Sequence, residues 1–308
     1  MYKNKLDTVK YYVKFFLIAI NIPLILSLVG IATVIKVLLP KRKFKDITDK
    51  VVLITGGGNG LGREISLRLA DKKCKLAIVD IDEKAAKETL SLVKSKGEHR
   101  TYRADVSDFA QCQSVVRKVE EEMGPVDILI SNAGIMPCID FVDISMDQVE
   151  KTVGVNLMSS LYFIKLVMDK MLERNSGHIV CTSSIGGQIP LPGGSVYTLT
   201  KFGLTGFLEA FRVELAYLNK SVKVTTLQPY FLKTNQEISN FIENKIDLMI
   251  PAFDVDYVAS EAVKGILRED KVVTISNEFN IMIYLFKVLP PFIKDFVLYL
   301  GKVIKKEN

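Results

Sequence analysis

The stretch Val51-Val52-Leu53-Ile54-Thr55-Gly56-Gly57-Gly58-Asn59-Gly60-Leu61-Gly62 decides the fold. Four apolar residues stand between a charged linker and a glycine-rich turn, which predicts a buried parallel strand. The residues after the turn predict a helix over Gly60–Lys72, with apolar Leu61, Ile65, Leu67 and Leu69. A glycine turn that ends such a strand and opens such a helix suits a dinucleotide. Gly56 permits the tight turn, and Gly60 and Gly62 let backbone and helix approach closely. Asn59 and Leu61 add backbone donors at a helix N-terminus, whose free N–H groups suit a pyrophosphate. The spacing is GxxxGxG, wider than GxGxxG, so a purely structural glycine turn stands as the alternative.

Downstream the same alternation repeats. Strands are expected at Lys75–Asp80, Arg100–Ala104, Val126–Ser131, His178–Thr182, Val222–Leu227 and Lys271–Ile275. Helices are expected at Asp82–Lys96, from a Ser107 cap through Glu122, at Met146–Arg174 with a break near Gly154, at Val196–Leu218 and at Tyr257–Arg268. Alternation of this kind predicts an α/β fold: a doubly wound, mostly parallel Rossmann-type sheet with helices on both faces. Right-handed crossovers place the strand C-termini, and therefore any ligand, on one edge. Asp80 ends the second strand, where a carboxylate accepts hydrogen bonds from an adenosine ribose and repels a 2′-phosphate. No basic residue precedes Gly60 to compensate, so NAD is favoured over NADP. Asp105 and Val106, after the third strand, border the adenine. Asn132-Ala133-Gly134 ends the fourth strand with small residues that leave room for the dinucleotide, unless it is a simple turn.

Tyr197 and Lys201 lie one helical turn apart and share a face. A lysine beside a phenol favours the phenolate, and it can also hold the nicotinamide ribose. The phenol then exchanges a proton with a substrate hydroxyl while a hydride moves between carbon and cofactor. Ser184 follows the fifth strand and can bond the same substrate oxygen. Asn156 is polar where a buried helix face is expected; it either holds a water that links Lys201 to solvent or is satisfied by local backbone. The four cysteines, Cys74, Cys112, Cys138 and Cys181, show no metal-ligand spacing and suit a reducing compartment. The two histidines are too few for a His-based metal site, and His178 reads as a strand-edge residue.

The ends of the chain are different in kind. Residues 1–40 read as a hydrophobic membrane anchor, because no ionisable group occurs between Phe15 and Ile35. Asn21 and Pro23 interrupt the run, so a span and a one-leaflet hairpin both remain open. Residues 41–50 read as a basic linker, 51–276 as the NAD-binding domain and 277–308 as an apolar segment with a basic tail. The formal charge of +6 is concentrated beside the apolar ends, which points to membrane headgroups and away from nucleic acid. With Arg42 counted, the basic residues that follow the anchor slightly outnumber those that precede it, which places the domain in the cytosol. Pro290-Pro291 divides the C-terminal segment into two pieces that lie on a membrane or, alternatively, form a dimer interface.

The chain resembles the short-chain dehydrogenase/reductase family over roughly Asp49 to Ile275. Thr55 to Gly62 matches the TGxxxGxG loop, and Asn132 to Gly134 the Asn-Ala-Gly motif. The family's catalytic set falls on Asn156, Ser184, Tyr197 and Lys201. The apolar N-terminus, the stretch from Leu172 to Val180 and the tail are similar to the membrane-associated branch of retinol and 17β-hydroxysteroid dehydrogenases. The resemblance implies hydride transfer between NAD and a lipophilic alcohol or ketone, such as all-trans-retinol or a 17β-hydroxysteroid. It implies a homodimer at the endoplasmic reticulum membrane or a lipid droplet. A catalytically silent lipid-droplet scaffold is the alternative of a different class. Pro229-Tyr230 stands where the family usually has Pro-Gly, which adds bulk near the nicotinamide. Thr234 matches the threonine that contacts the carboxamide. Apolar substrate walls are expected from Ile135, Met136, Ile189, Leu191, Tyr230, Phe231, Phe241 and Met249.

Overall fold

The structure is a computed structural model. It describes residues 43–233 and 252–274, with residues 27, 283, 286–287 and 289–294. Among these, seven strands form one sheet in the order β3-β2-β1-β4-β5-β6-β9. They are β1 (Val51–Thr55), β2 (Lys75–Asp80), β3 (His99–Arg103), β4 (Ile128–Ser131), β5 (His178–Thr182), β6 (Lys223–Gln228) and β9 (Val272–Thr274). Every neighbouring pair is parallel. β7 (Phe231–Leu232) and β8 (Ala252–Phe253) pair separately. The helices are α1 (Gly60–Ala70), α2 (Glu83–Leu92), α3 (Phe109–Met123), α4 (Met146–Val153), α5 (Ser159–Glu173), α6 (Ser195–Tyr217) and α7 (Val255–Arg268).

Alternation along β1 builds two cores. Val51 and Leu53 face α3, α5 and α6, where Val119, Phe163 and Leu208 are buried. Val52 and Ile54 face α1 and α7, against Ile65, Leu69, Ala262 and Ile266. Both faces are therefore apolar, as a covered parallel sheet requires. The strand order reverses between β1 and β4, and a crevice opens at their C-terminal ends.

Several elements depart from the sequence reading. The second helix stops at Leu92, since Val93 is extended (φ −69°, ψ 120°) and no apolar side chain in 94–97 remains to bury. Asp108, not Ser107, caps α3, accepting from Ala110 N and Gln111 N at 2.8 and 3.2 Å. Ser107 Oγ donates instead to Asp105 Oδ1 at 2.6 Å. Gly154 does not break its helix: a π-helical turn, Gly154–Met158, joins α4 to α5 and carries Asn156. Residues 44–50, read as linker, lie on the domain. Ile47 is buried in the second core, and Lys45 N donates to Leu267 O at 2.8 Å.

His178 opens β5, as the sequence reading placed it, and is buried there. Thr225 Oγ1 donates to Asp270 O at 2.7 Å, so it accepts from His178 Nε2 at 2.8 Å. His178 Nδ1 then accepts from Lys45 Nζ at 2.8 Å. Burial, then the Lys45 and Lys223 charges, hold the imidazole well below its usual range and neutral.

Among the described residues no helix is long and apolar enough to cross a membrane. The apolar run 15–35 lies outside them apart from residue 27. In the C-terminal segment, Ile283 and Phe286 pack with Ile185, Ile189 and Tyr230, and Lys287 Nζ donates to Gln188 Oε1. These side chains are thus turned onto their own domain.

Candidate active site

The crevice is framed by β1 and β4. Thr55 Oγ1 accepts from Asn132 N and Ala133 N at 3.0 and 3.1 Å. Asn132 Nδ2 donates back to Thr55 O and Gly56 O at 3.2 and 3.3 Å. Gly56 has φ +65°, and a Cβ there would stand 2.8 Å from Ala133 Cα. A Cβ on Gly62 would stand 2.0 Å from Gly56 O. Only glycine lets the loop fold this closely onto the helix start. Asn59 makes no side-chain cap bond to α1; its Oδ1 accepts from Arg63 Nη2 at 3.3 Å. No side chain of the N-cap residue therefore occupies the first-turn N–H groups.

Asp80 is fixed by two backbone donors, Gly58 N to Oδ2 at 2.8 Å and Asp82 N to Oδ1 at 3.0 Å. Each oxygen keeps lone-pair capacity for a hydroxyl. Asp105 Oδ1 accepts from Ser107 N at 2.9 Å, and Val106 beside it is buried.

One cleft of about 770 Å³ is lined by Gly56, Asn59, Gly60, Leu61, Gly62, Asp80, Asp105, Val106, Asn132, Ala133, Gly134, Ser184, Tyr197, Lys201 and Pro229. The structure thus brings together the catalytic and cofactor residues singled out from sequence, apart from Thr234 and Asn156, while Ile189 and Leu191 of the expected substrate walls lie outside the cleft lining. Thr234 lies outside the described residues, as do Phe241 and Met249. Asn156 stands behind the wall.

Asn156 is almost fully buried and clamps the next loop. Its Oδ1 accepts from Ile135 N at 2.8 Å, and its Nδ2 donates to Ile135 O at 2.8 Å and Thr200 Oγ1 at 3.3 Å. Both amide hydrogens are used within the protein. Lys201 Nζ donates to Thr182 O at 2.8 Å. Burial lowers the Lys201 pKa to about 8. Its ammonium stands 5.5 Å from the Tyr197 ring centroid. Burial raises the Tyr197 phenol, while a hydrogen bond with Ser184 draws it down. The expected lowering by Lys201 is not what sets the phenol here. Ser184 Oγ accepts from Gly186 N at 3.0 Å.

Thr182 and Thr200 were missed in the sequence. Thr182 also donates its Oγ1 to Asn132 Oδ1 at 3.1 Å, and Thr200 Oγ1 donates to Tyr197 O at 2.7 Å. Thr182 was findable as the last residue of β5 on the ligand edge. Thr200 carried no signal.

On the other side of Tyr197 the walls are apolar. Met136, Cys138, Tyr197 and Ala252 pack against Leu191 and Phe231. Tyr230 lines the cleft, is 4 % exposed, and meets Phe253 edge-to-face at 5.9 Å. Burial pushes its phenol up to about 12. Among the described residues no cluster of metal-ligating side chains occurs. Burial raises the Cys74, Cys112 and Cys181 thiols to about 12, which leaves them unreactive.

Residues 50–244 match the family model described as short chain dehydrogenase. Estradiol 17-beta-dehydrogenase 11 of Homo sapiens is 33% identical over 268 residues, covering 86% of this chain and 87% of the relative. Epidermal retinol dehydrogenase 2 of Mus musculus is 33% identical over 249 residues, 80% of each chain. 17-beta-hydroxysteroid dehydrogenase 13 of Mus musculus is 31% identical over 257 residues, 83% of each. A short chain dehydrogenase/reductase from Burkholderia phymatum, crystallised with NAD, shares the fold. Its TM-score is 0.70 at 22% identity, over 79% of this chain and 94% of that one. Levodione reductase follows with a TM-score of 0.67 at 28% identity, over 76% and 98%.

Proposed function

The chain belongs to the short-chain dehydrogenase family, and on that premise we propose that it transfers a hydride between NAD and the hydroxyl or carbonyl carbon of a lipophilic alcohol or ketone. The observation that carries this reading is the single cleft in which the glycine loop and Asp80 share walls with Ser184, Tyr197 and Lys201. NAD supplies the hydride acceptor when bound. The close glycine approach, the uncapped first turn of α1 and the fixed Asp80 carboxylate fit its pyrophosphate and ribose. Asp105, Val106, the Asn132–Gly134 loop and Pro229 complete the cofactor side.

Tyr197 takes the proton from a substrate alcohol as the phenolate, or gives it to a ketone as the phenol. Ser184 holds its hydroxyl oxygen to Gly186 N and turns its proton to the same substrate oxygen. Lys201, buried beside the ring and bonded to Thr182 O, is placed to hold the nicotinamide ribose. Asn156 fixes Ile135, the first residue of the substrate wall.

The apolar cluster of Met136, Leu191 and Phe231 favours a greasy substrate. The relatives named for retinol and estradiol support all-trans-retinol and 17β-hydroxysteroids as the first candidates. The apolar N-terminal run supports an endoplasmic reticulum membrane or lipid-droplet surface, with the domain in the cytosol. A homodimer is supported by the exposed apolar face of α6, where Leu199, Phe202 and Val213 are open.

The test is a panel of retinol, estradiol and long-chain alcohols given to membranes that carry the full chain, with NAD or NADP. Reduced NAD should accumulate with at least one of them. Tyr197→Phe should abolish turnover while NAD still binds; undiminished turnover would refute the proton role. NAD binding with no turnover on any member would favour a silent scaffold.

A further inference from the structure

The loop from Cys138 to Met146 carries apolar side chains where turns ordinarily carry polar ones. Asp143 N and Ile144 N both donate to Asp140 O, at 3.0 and 3.1 Å, and close a turn. Phe141 and Val142 occupy its centre, 65% and 89% exposed, and Met146 at the start of α4 is 65% exposed. Turn centres favour Gly, Pro, Asn, Asp and Ser. A lone exposed apolar residue is ordinary, but three within one short stretch mark an interaction site. The frame around them is firm. Ser145 and Gln148 form a capping box directly after the turn, with bonds of 3.3 and 3.1 Å.

The tip is small. Three side chains fall far short of the ~800 Å² that each partner buries in a stable protein interface. They suit shallow insertion among lipid headgroups. Asp140, Asp143 and Asp147 accompany them and would repel an anionic surface. Upstream, the same loop places Met136 in the cleft wall and Cys138 against Leu191 and Phe231.

We infer that Phe141, Val142 and Met146 form a docking tip that enters a zwitterionic or uncharged lipid surface at the outer end of the substrate loop. This inference rests on the reading that the substrate is lipophilic and reached at a lipid surface.

The chain contains no tryptophan, so Phe141→Trp introduces a single reporter. The full chain carrying it is reconstituted in phosphatidylcholine vesicles with brominated acyl chains. Blue-shifted emission and quenching to less than half are expected. Tyr217→Trp, at an 84% exposed position at the end of α6, should remain unquenched. Phosphatidylserine should weaken quenching of the Phe141 reporter. Water-like emission, a blue shift without bromine quenching, or equal quenching of both reporters would overturn the inference. Phe141→Ser with Val142→Ser should also raise KM several-fold for an alcohol delivered in vesicles and leave KM for NAD unchanged. The fluorescence readout needs no turnover, so failure of the oxidoreductase reading and failure of the docking tip are distinguishable.

Discussion

Replacing Asn156 with Ala separates two roles that this residue could play. The amide makes two short bonds to Ile135, both 2.8 Å, and a longer one to Thr200 Oγ1 at 3.3 Å. Thr200 keeps Tyr197 O at 2.7 Å, so its loss is small. Ile135 loses a donor and an acceptor partner. Each unsatisfied buried group costs about 1–3 kcal/mol, and Ile135 is only partly buried, so water recovers a share. The sum is about 3 kcal/mol, which lowers Tm by about 6–12 °C for a domain of this size. With the Ile135 loop released, the wall beside Tyr197 shifts, and a displacement of about 1 Å costs roughly 100-fold in kcat. KM for NAD should change little. Thermal unfolding and steady-state kinetics on the same preparation decide the matter. A large fall in kcat with unchanged Tm would refute the clamp and restore a relay role. Unchanged kcat with lowered Tm would show that the clamp does not position the site.

Three further outcomes are expected. The folded Lys201 pKa is lowered from 10.5 to about 8, so between these values the unfolded chain holds a proton that the folded chain has lost. Stability should therefore rise with pH across that window, and Lys201→Met should flatten the rise in Tm. His178 stays neutral in the fold well below 6.5, so below that pH the unfolded chain takes up a proton that the fold excludes. Tm should then fall from pH 7 to 5 more steeply in the wild type than in His178→Asn. Gly62→Ala places a Cβ 2.0 Å from Gly56 O, a backbone atom that cannot swing aside. It should cost about 2 kcal/mol or more and abolish NAD binding by calorimetry.

What could be read from the sequence was whatever depends on neighbours along the chain. β1 was legible because four apolar residues meet a glycine turn. Tyr197 and Lys201 were legible because a helix fixes their shared face. Asn156 was found, but its partner was not, because the bonds to Ile135 depend on a π-helical turn that no periodicity announces. The place of His178 at the start of β5 was legible but its burial was not, because its partner Lys45 lies 133 positions away. β7 and β8 are two residues each, too short to alternate. The docking of Ile283 and Phe286 on the Ser184 side was hidden by composition, since an apolar segment looks alike whether it meets lipid or its own domain.

The loop after β4 joins these observations into one spatial argument. Ile135 is clamped by Asn156, Met136 lines the cleft, and Phe141 stands at the exposed tip. Phe141 lies six positions after Ile135, and an extended chain of that length spans at most ~22 Å. The hydrocarbon core of a bilayer is about 30 Å thick. If the tip rests in lipid, an alcohol with a long apolar body can therefore bring its oxygen to Tyr197 while its far end is still in the lipid. It never needs to cross water whole, which is the costly step for such a molecule. The same geometry disfavours short alcohols. They gain nothing from the lipid end and have only the Tyr197–Ser184 pair to hold them, so KM should fall as the apolar body lengthens toward that span.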